Sequence, residues 1–289
     1  FQSVYIRAAS IAAVVMLLLN VWRASFIRHP FIANETWRFK VVYLTCFAYL
    51  VIDLLIAPSH LLEHIYMEAT LGYDVLHAIS LNWVVLAGIA IGSIFTYKTF
   101  AQRKWAYKTM NLIALSSIVI YLLISYFSID YNVSKSSLIL PLFLRGFGYA
   151  IISICFLTIL SRIPFQNFFQ SLSVQAFFSA GIGGVLGTAI LGRALKITMK
   201  RNSMLPGAQL DHVNPLAVQL PPGELYGTLQ QQALIVSMKE LYGWLVIIGI
   251  FCILILMIKE SDLRPKHALH PTYRAIRRRI KRELKLTRE

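Results

Sequence analysis

The chain has 289 residues, 57% of them hydrophobic, with 28 Lys and Arg against 13 Asp and Glu and a formal net charge of +15. A mean hydropathy of +0.63 with so few acids excludes an ordinary soluble domain, and the basic excess sits in loops and a tail, which excludes a nucleic-acid surface as its main explanation. Cys46, Cys155 and Cys252 all fall in apolar stretches, so they read as small packing residues and not as a disulfide framework.

A hydrocarbon core roughly 30 Å thick needs about 20 apolar residues of helix. Seven stretches qualify, at 4–21, 41–57, 75–97, 110–127, 138–160, 174–195 and 241–258. They are apolar all the way round and lack the alternation of membrane β-strands, so the expected fold is an all-α membrane protein with seven transmembrane helices. Four Lys and Arg lie in 22–40, four in 97–108, one at Arg162 and eleven from residue 259 onward. The opposite loops hold Lys135 and five in 193–240. The positive-inside rule then predicts an N-terminus outside and a cytoplasmic C-terminus, in a multi-pass protein of the cell (inner) membrane.

The first span begins almost at once. Residue 1 is Phe and no charged leader precedes the span, so the chain is expected to be the C-terminal part of a longer or a processed protein. Arg7 reads as a snorkelling anchor.

The second span carries Asp53, four residues before its expected end. The fifth carries Arg145, seven residues in from the same side. At about 1.5 Å per residue the two lie roughly 6 and 10 Å below one surface, close enough to meet as a charge pair or a proton-coupling site. After Pro58, the run His60, Leu61, Leu62, Glu63, His64 spells H-x-x-E-H, a zinc-protease pattern. With no third ligand nearby it reads as part of an outer loop, and no metal or cofactor is assigned.

In the third span His77 and Asn82 are candidates for a substrate path, as is Gln175 in the sixth, each offering hydrogen bonds in an apolar setting. Tyr49 and Phe147 are the aromatic candidates for the same path. Gly88 with Gly92 and Gly183 with Gly187 have the four-residue spacing that lets membrane helices approach closely. Gly146, Gly181 and Gly184 join them as helix-packing or gating positions, along which one helix slides in alternating access. The tail from Pro271 places Tyr273, Ile276, Ile280 and Leu284 on one face among seven Lys and Arg, a helix suited to the anionic lipid of the cytoplasmic leaflet.

Leu144, Arg145, Gly146, Phe147, Gly148 in the fifth span, Gln175 and then Gly181, Gly183, Gly184, Gly187, Thr188, Ala189, Ile190 in the sixth, and Leu71, Gly72, Tyr73 before the third make one pattern. It resembles the C-terminal half of the major facilitator superfamily, in its fourteen-helix drug:proton antiporter group, over nearly the whole chain. The resemblance implies a linker helix and loop at 1–40, a C-terminal six-helix domain at 41–258 with a long outer loop at 193–240, and a basic cytoplasmic tail at 259–289. It implies a proton-coupled exporter of amphipathic or cationic organic compounds and not an enzyme. The partners implied are a missing N-terminal transporter half, protons, a small organic substrate and a periplasmic adaptor protein, with no nucleic acid. The loop 96–105 keeps the family's bases and lacks its acid. Two other classes stay open: a seven-helix receptor, which shares the topology, and a membrane-embedded enzyme, for which only H-x-x-E-H argues.

Overall fold

A bilayer leaves no water for an unpaired backbone amide, so an apolar run of this length closes its hydrogen bonds within itself as helix. The computed structural model of the chain describes residues 4–24, 26–27, 32, 36–37, 39–130, 133–208 and 222–258, and among these there are helices and no strand. The helices are α1 (Val4–Ala24), α2 (Lys40–Ile56), α3 (Leu62–Ile65), α4 (Val75–Thr96), α5 (Tyr107–Ser128), α6 (Ile139–Leu160), α7 (Phe165–Ala176), α8 (Gly184–Ala208) and α9 (Pro222–Ile258). Three π-helical segments, at Tyr66–Thr70, Tyr97–Gln102 and Phe177–Gly183, extend or join them.

Six helical runs among the described residues are long and apolar enough to cross a membrane: Lys40–Thr70, Ile79–Gln102, Tyr107–Ser128, Lys135–Leu160, Phe165–Met204 and Tyr226–Ile258. The chain is an all-α, multi-pass membrane protein. The first expected span is the 21-residue helix α1, apolar over Ile11–Ala24, with Ile11, Val15, Met16 and Leu18 on its exposed surface.

Two boundaries differ from the sequence reading. The second span does not end near Pro58. It turns through a 3-10 step at Ala57–Ser59 and runs on through α3 and the first π segment to Thr70. Proline sits without penalty at the start of a helical turn, where its missing N–H has no partner to lose, and Ala57, Pro58 and Leu62 stay buried. The stretch 193–240 is not one long loop either. α8 continues to Ala208 and α9 starts at Pro222, and their polar turns hold each other: Arg201 pairs with Glu240, and Asn202 Nδ2 donates to Ser237 Oγ at 3.0 Å.

Packing runs in sequence: α4 on α6, α6 on α5, α5 on α9, α9 on α8, and α8 with its preceding π segment on α2, which also touches α6. The five helices other than α4 close a ring around Leu55, Met110, Ile118, Tyr121, Leu122 and Met238, all essentially inaccessible. Glycines set the closest approaches. A Cβ on Gly88 would collide with the backbone of Phe143, one on Gly92 would lie 2.8 Å from the Phe147 carbonyl oxygen, and one on Gly146 would strike the Val85 carbonyl. Gly148, on another face of α6, allows the same approach to Ala114 of α5. α6 is thus gripped on both sides, with Arg145 between the two contacts. Cys46 and Cys155 are buried free thiols and Cys252 is half-buried. The set of large exposed side chains on the outer surface, including Leu76, Trp83, Ile190 and Phe251, is ordinary for a surface whose solvent is hydrocarbon.

Candidate functional site

The span Lys40–Thr70 carries Asp53 on α2 and Glu63 on α3, ten residues apart, which is about 15 Å along a helix. Each has its own environment.

Glu63 lies where the second span continues beyond its proline turn. One carboxylate oxygen accepts from Arg145 Nη1 at 2.5 Å, and the other accepts from the Tyr121 hydroxyl at 2.6 Å. The guanidinium carbon of Arg145 stands 5.9 Å from the centre of the Tyr121 ring. Both charged side chains are largely enclosed, at 12% exposure for Arg145 and 14% for Glu63, and Tyr242 of α9 completes the cluster. A cavity of about 30 Å³ opens beside it, lined by Glu63, Tyr66, Tyr121, Ser125 and Tyr242 among others, with room for a water molecule or two. An ion pair with every strong acceptor used is a fastener: it holds α3, α5 and α6 at one level.

Asp53 is the reverse case. Tyr49 and Asp53, one helical turn apart, share a face of α2. That face meets the segment Phe177–Gly183 and the start of α8. A Cβ on Gly183 would overlap the Asp53 carboxylate, and one on Gly187 would come within 2.9 Å of Ala57 Cβ. Asp53 and Ala57 on α2 therefore lie against Gly183 and Gly187, two four-residue ridges in contact. Tyr49 interacts with Ser153 of α6 and Gln175 of α7, and Ser179 interacts with Asp53. Yet Asp53 Oδ2, Ser153 Oγ and Gln175 Oε1 are buried without a hydrogen bond. Three unsatisfied oxygens at one junction are unusual, because each leaves its desolvation uncompensated. The junction also contains a π turn, a feature that recurs at functional sites in helices.

The chain matches no protein-family model and no curated protein.

The structure gathers Asp53, Tyr49, Gln175 and Gly183 from among the residues chosen on sequence, and adds Ser153 and Ser179. It does not join Asp53 to Arg145. The depth argument placed Asp53 about 6 Å from the surface. The span instead continues to Thr70, seventeen residues further, so Asp53 sits near the middle of the run Lys40–Thr70 while Arg145 is level with Glu63. Gly181 and Gly184 do not share the seam: a Cβ on Gly181 would meet only its own Phe177 ring at 3.3 Å, and one on Gly184 has nothing nearer than 3.8 Å. Phe147 stacks on Phe143 at 6.2 Å and packs near Phe95, in the α4–α6 contact. Asn82 is exposed on α4. The side chain of His77 and the tail 259–289 lie outside the described residues.

The H-x-x-E-H run does not assemble. Glu63 turns inward to Arg145, while His64 turns outward to Glu68, Nδ1 to Oε2 at 3.2 Å. Among the described residues no three His, Cys, Asp or Glu side chains cluster to hold a metal ion.

Proposed function

We propose that this chain is the C-terminal half of a proton-coupled secondary active exporter of amphipathic or cationic organic compounds, working by alternating access in the inner membrane with its C-terminus cytoplasmic. The observation that carries the reading is Asp53: a carboxylate near the middle of its span, with one oxygen unbonded, pressed against a glycine seam next to a π-helical break. An acid in such a place is costly to keep charged and, among the described residues, has the Ser179 hydroxyl beside it but no cation, which suits a group that gains and loses a proton as its access changes.

Two further features support the reading. In their contact with α2, Gly183 and Gly187 present no side chain of their own, a smooth surface on which the start of α8 can rock. Tyr43 and Phe47 on α2, and Asn82, Trp83 and Leu86 on α4, form apolar and aromatic surface with an amide in it. A second six-helix half covers part of that surface, and the substrate passes between the halves, as in transporters built from repeats.

The test is efflux of a fluorescent organic cation from vesicles carrying the native gene product, driven by an imposed pH gradient. Wild type exports and Asp53→Asn does not, although it reaches the membrane at equal level. Undiminished export by Asp53→Asn removes the coupling role from this residue. A native product of about twice the mass of this chain supports the two-half architecture, and one of the same mass overturns it.

A further inference from the structure

The oxygens around Asp53 are more than a proton needs. A proton requires one carboxylate, whereas here Gln175, 5% exposed, brings a carbonyl oxygen to the same junction and Ser153 a hydroxyl oxygen, both buried without a hydrogen bond of normal geometry. Tyr49 reaches both and lies within the field of Asp53. The donors come from three separate elements, α2, α6 and α7, with Tyr49 as their common neighbour and the Asp53 carboxylate against Gly183 of the π segment.

All four are hard oxygen donors, with no imidazole or thiolate in the contacting set, and such sets select hard cations over transition metals. The site carries one formal charge. A monovalent ion cancels it, while a divalent ion would leave a net positive charge in hydrocarbon, which is strongly unfavourable. The junction is tight, since the Asp53 carboxylate already abuts the Gly183 backbone. Small size and single charge together indicate sodium.

We infer that Asp53 Oδ2, Ser153 Oγ, Gln175 Oε1 and the Tyr49 hydroxyl form a binding site for a sodium ion, held between α2, α6 and α7 at the foot of the glycine seam. This rests on the exporter reading only in naming the ion as a coupling ion; the binding site itself stands without it. Bound sodium ties α7 and the π segment to α2, and its departure frees them.

The experiment measures binding of radioactive sodium to the purified native product in detergent, at constant ionic strength with choline as the replacing cation. Wild type binds sodium saturably. Gln175→Leu and Ser153→Ala each weaken binding on the order of tenfold or more, as loss of one ligand should, while Gln231→Ala, exposed on α9 and remote from the junction, leaves it unchanged. Circular dichroism and gel filtration establish that each variant is folded, and Ser153→Ala is small enough to serve if Gln175→Leu is not. Hydrogen exchange across 177–183 slows with sodium chloride and not with choline chloride. Absence of saturable binding to folded wild type overturns the site, as does equal binding by potassium or binding indifferent to both variants. Proton-driven export that depends on Asp53, without sodium binding, removes this site and leaves the exporter. Sodium binding without export of any cation tested does the opposite.

Discussion

Glu63 and Asp53 ride on the same span, but Glu63 has Arg145 and Tyr121 on its two oxygens, whereas Asp53 has an oxygen with no hydrogen bond. In a low-dielectric interior the first arrangement is stable only as a set, because removing one member strands the others. The second is already stranded, so changing it removes a burden. Within one span, the same chemical group is therefore a fastener at one level and a point of exchange at another, and the distinction lies wholly in the neighbours.

The sharpest way to break this comparison is Arg145→Met, which leaves Glu63 buried and unpaired and is expected to lower stability by about 3 to 5 kcal/mol in mixed-micelle unfolding. Adding Glu63→Leu should recover most of that loss. A double variant as unstable as the single one would mean that packing, not charge, dominates at this level.

Tyr121→Phe deletes a hydrogen bond to the same carboxylate and should cost about 1.5 to 3 kcal/mol by the same measurement. Gly183→Ala drives a methyl group into the Asp53 carboxylate and should cost about 1 to 3 kcal/mol through overpacking, with loss of export. Gly184→Ala, one residue away with open space around it, should stay within about 0.5 kcal/mol of wild type and keep export. The smallest effect is expected from Asp53→Asn, neutral or stabilising by under about 1 kcal/mol because it removes the charge from an acid with one buried, unbonded oxygen. Substantial destabilisation by Asp53→Asn would erase the contrast between the two acids.

Much of the architecture was legible. Long apolar runs announce their own helices, and the glycine pairs at 88 and 92 and at 183 and 187 do mark close helix contacts, as do Gly146 and Gly148. Glu63 was hidden by its surroundings: Pro58, Ser59, His60 and His64 look like a membrane exit, although Leu61, Leu62, Ile65 and Met67 continue an apolar face that could have revealed the longer span. The partner of Arg145 was missed for a different reason. Distance along a helix follows from residue count, but the direction in which a side chain leaves the helix has meaning only once neighbours are in place. Ser153 and Ser179 carried no signal at all, being small polar residues of a kind common in membrane helices. The π segments were equally silent, since no residue type demands them.

The π segment at Phe177–Gly183 bears on how such a protein tolerates insertion and deletion. A π turn accommodates one residue more than the α-helix would at that point, and each residue of helix advances by about 100°. Deleting Ala180 would let the chain relax into uninterrupted α-helix from α7 into α8, and because the wide turn had absorbed the extra residue, everything beyond would keep its facing, with Gly187 still against Ala57. The same deletion inside ordinary α-helix, such as α6, has no slack to give up and would rotate everything beyond it by roughly 100°. A single-codon deletion is thus a local trim between Phe177 and Gly183 and a rotation of half a helix elsewhere.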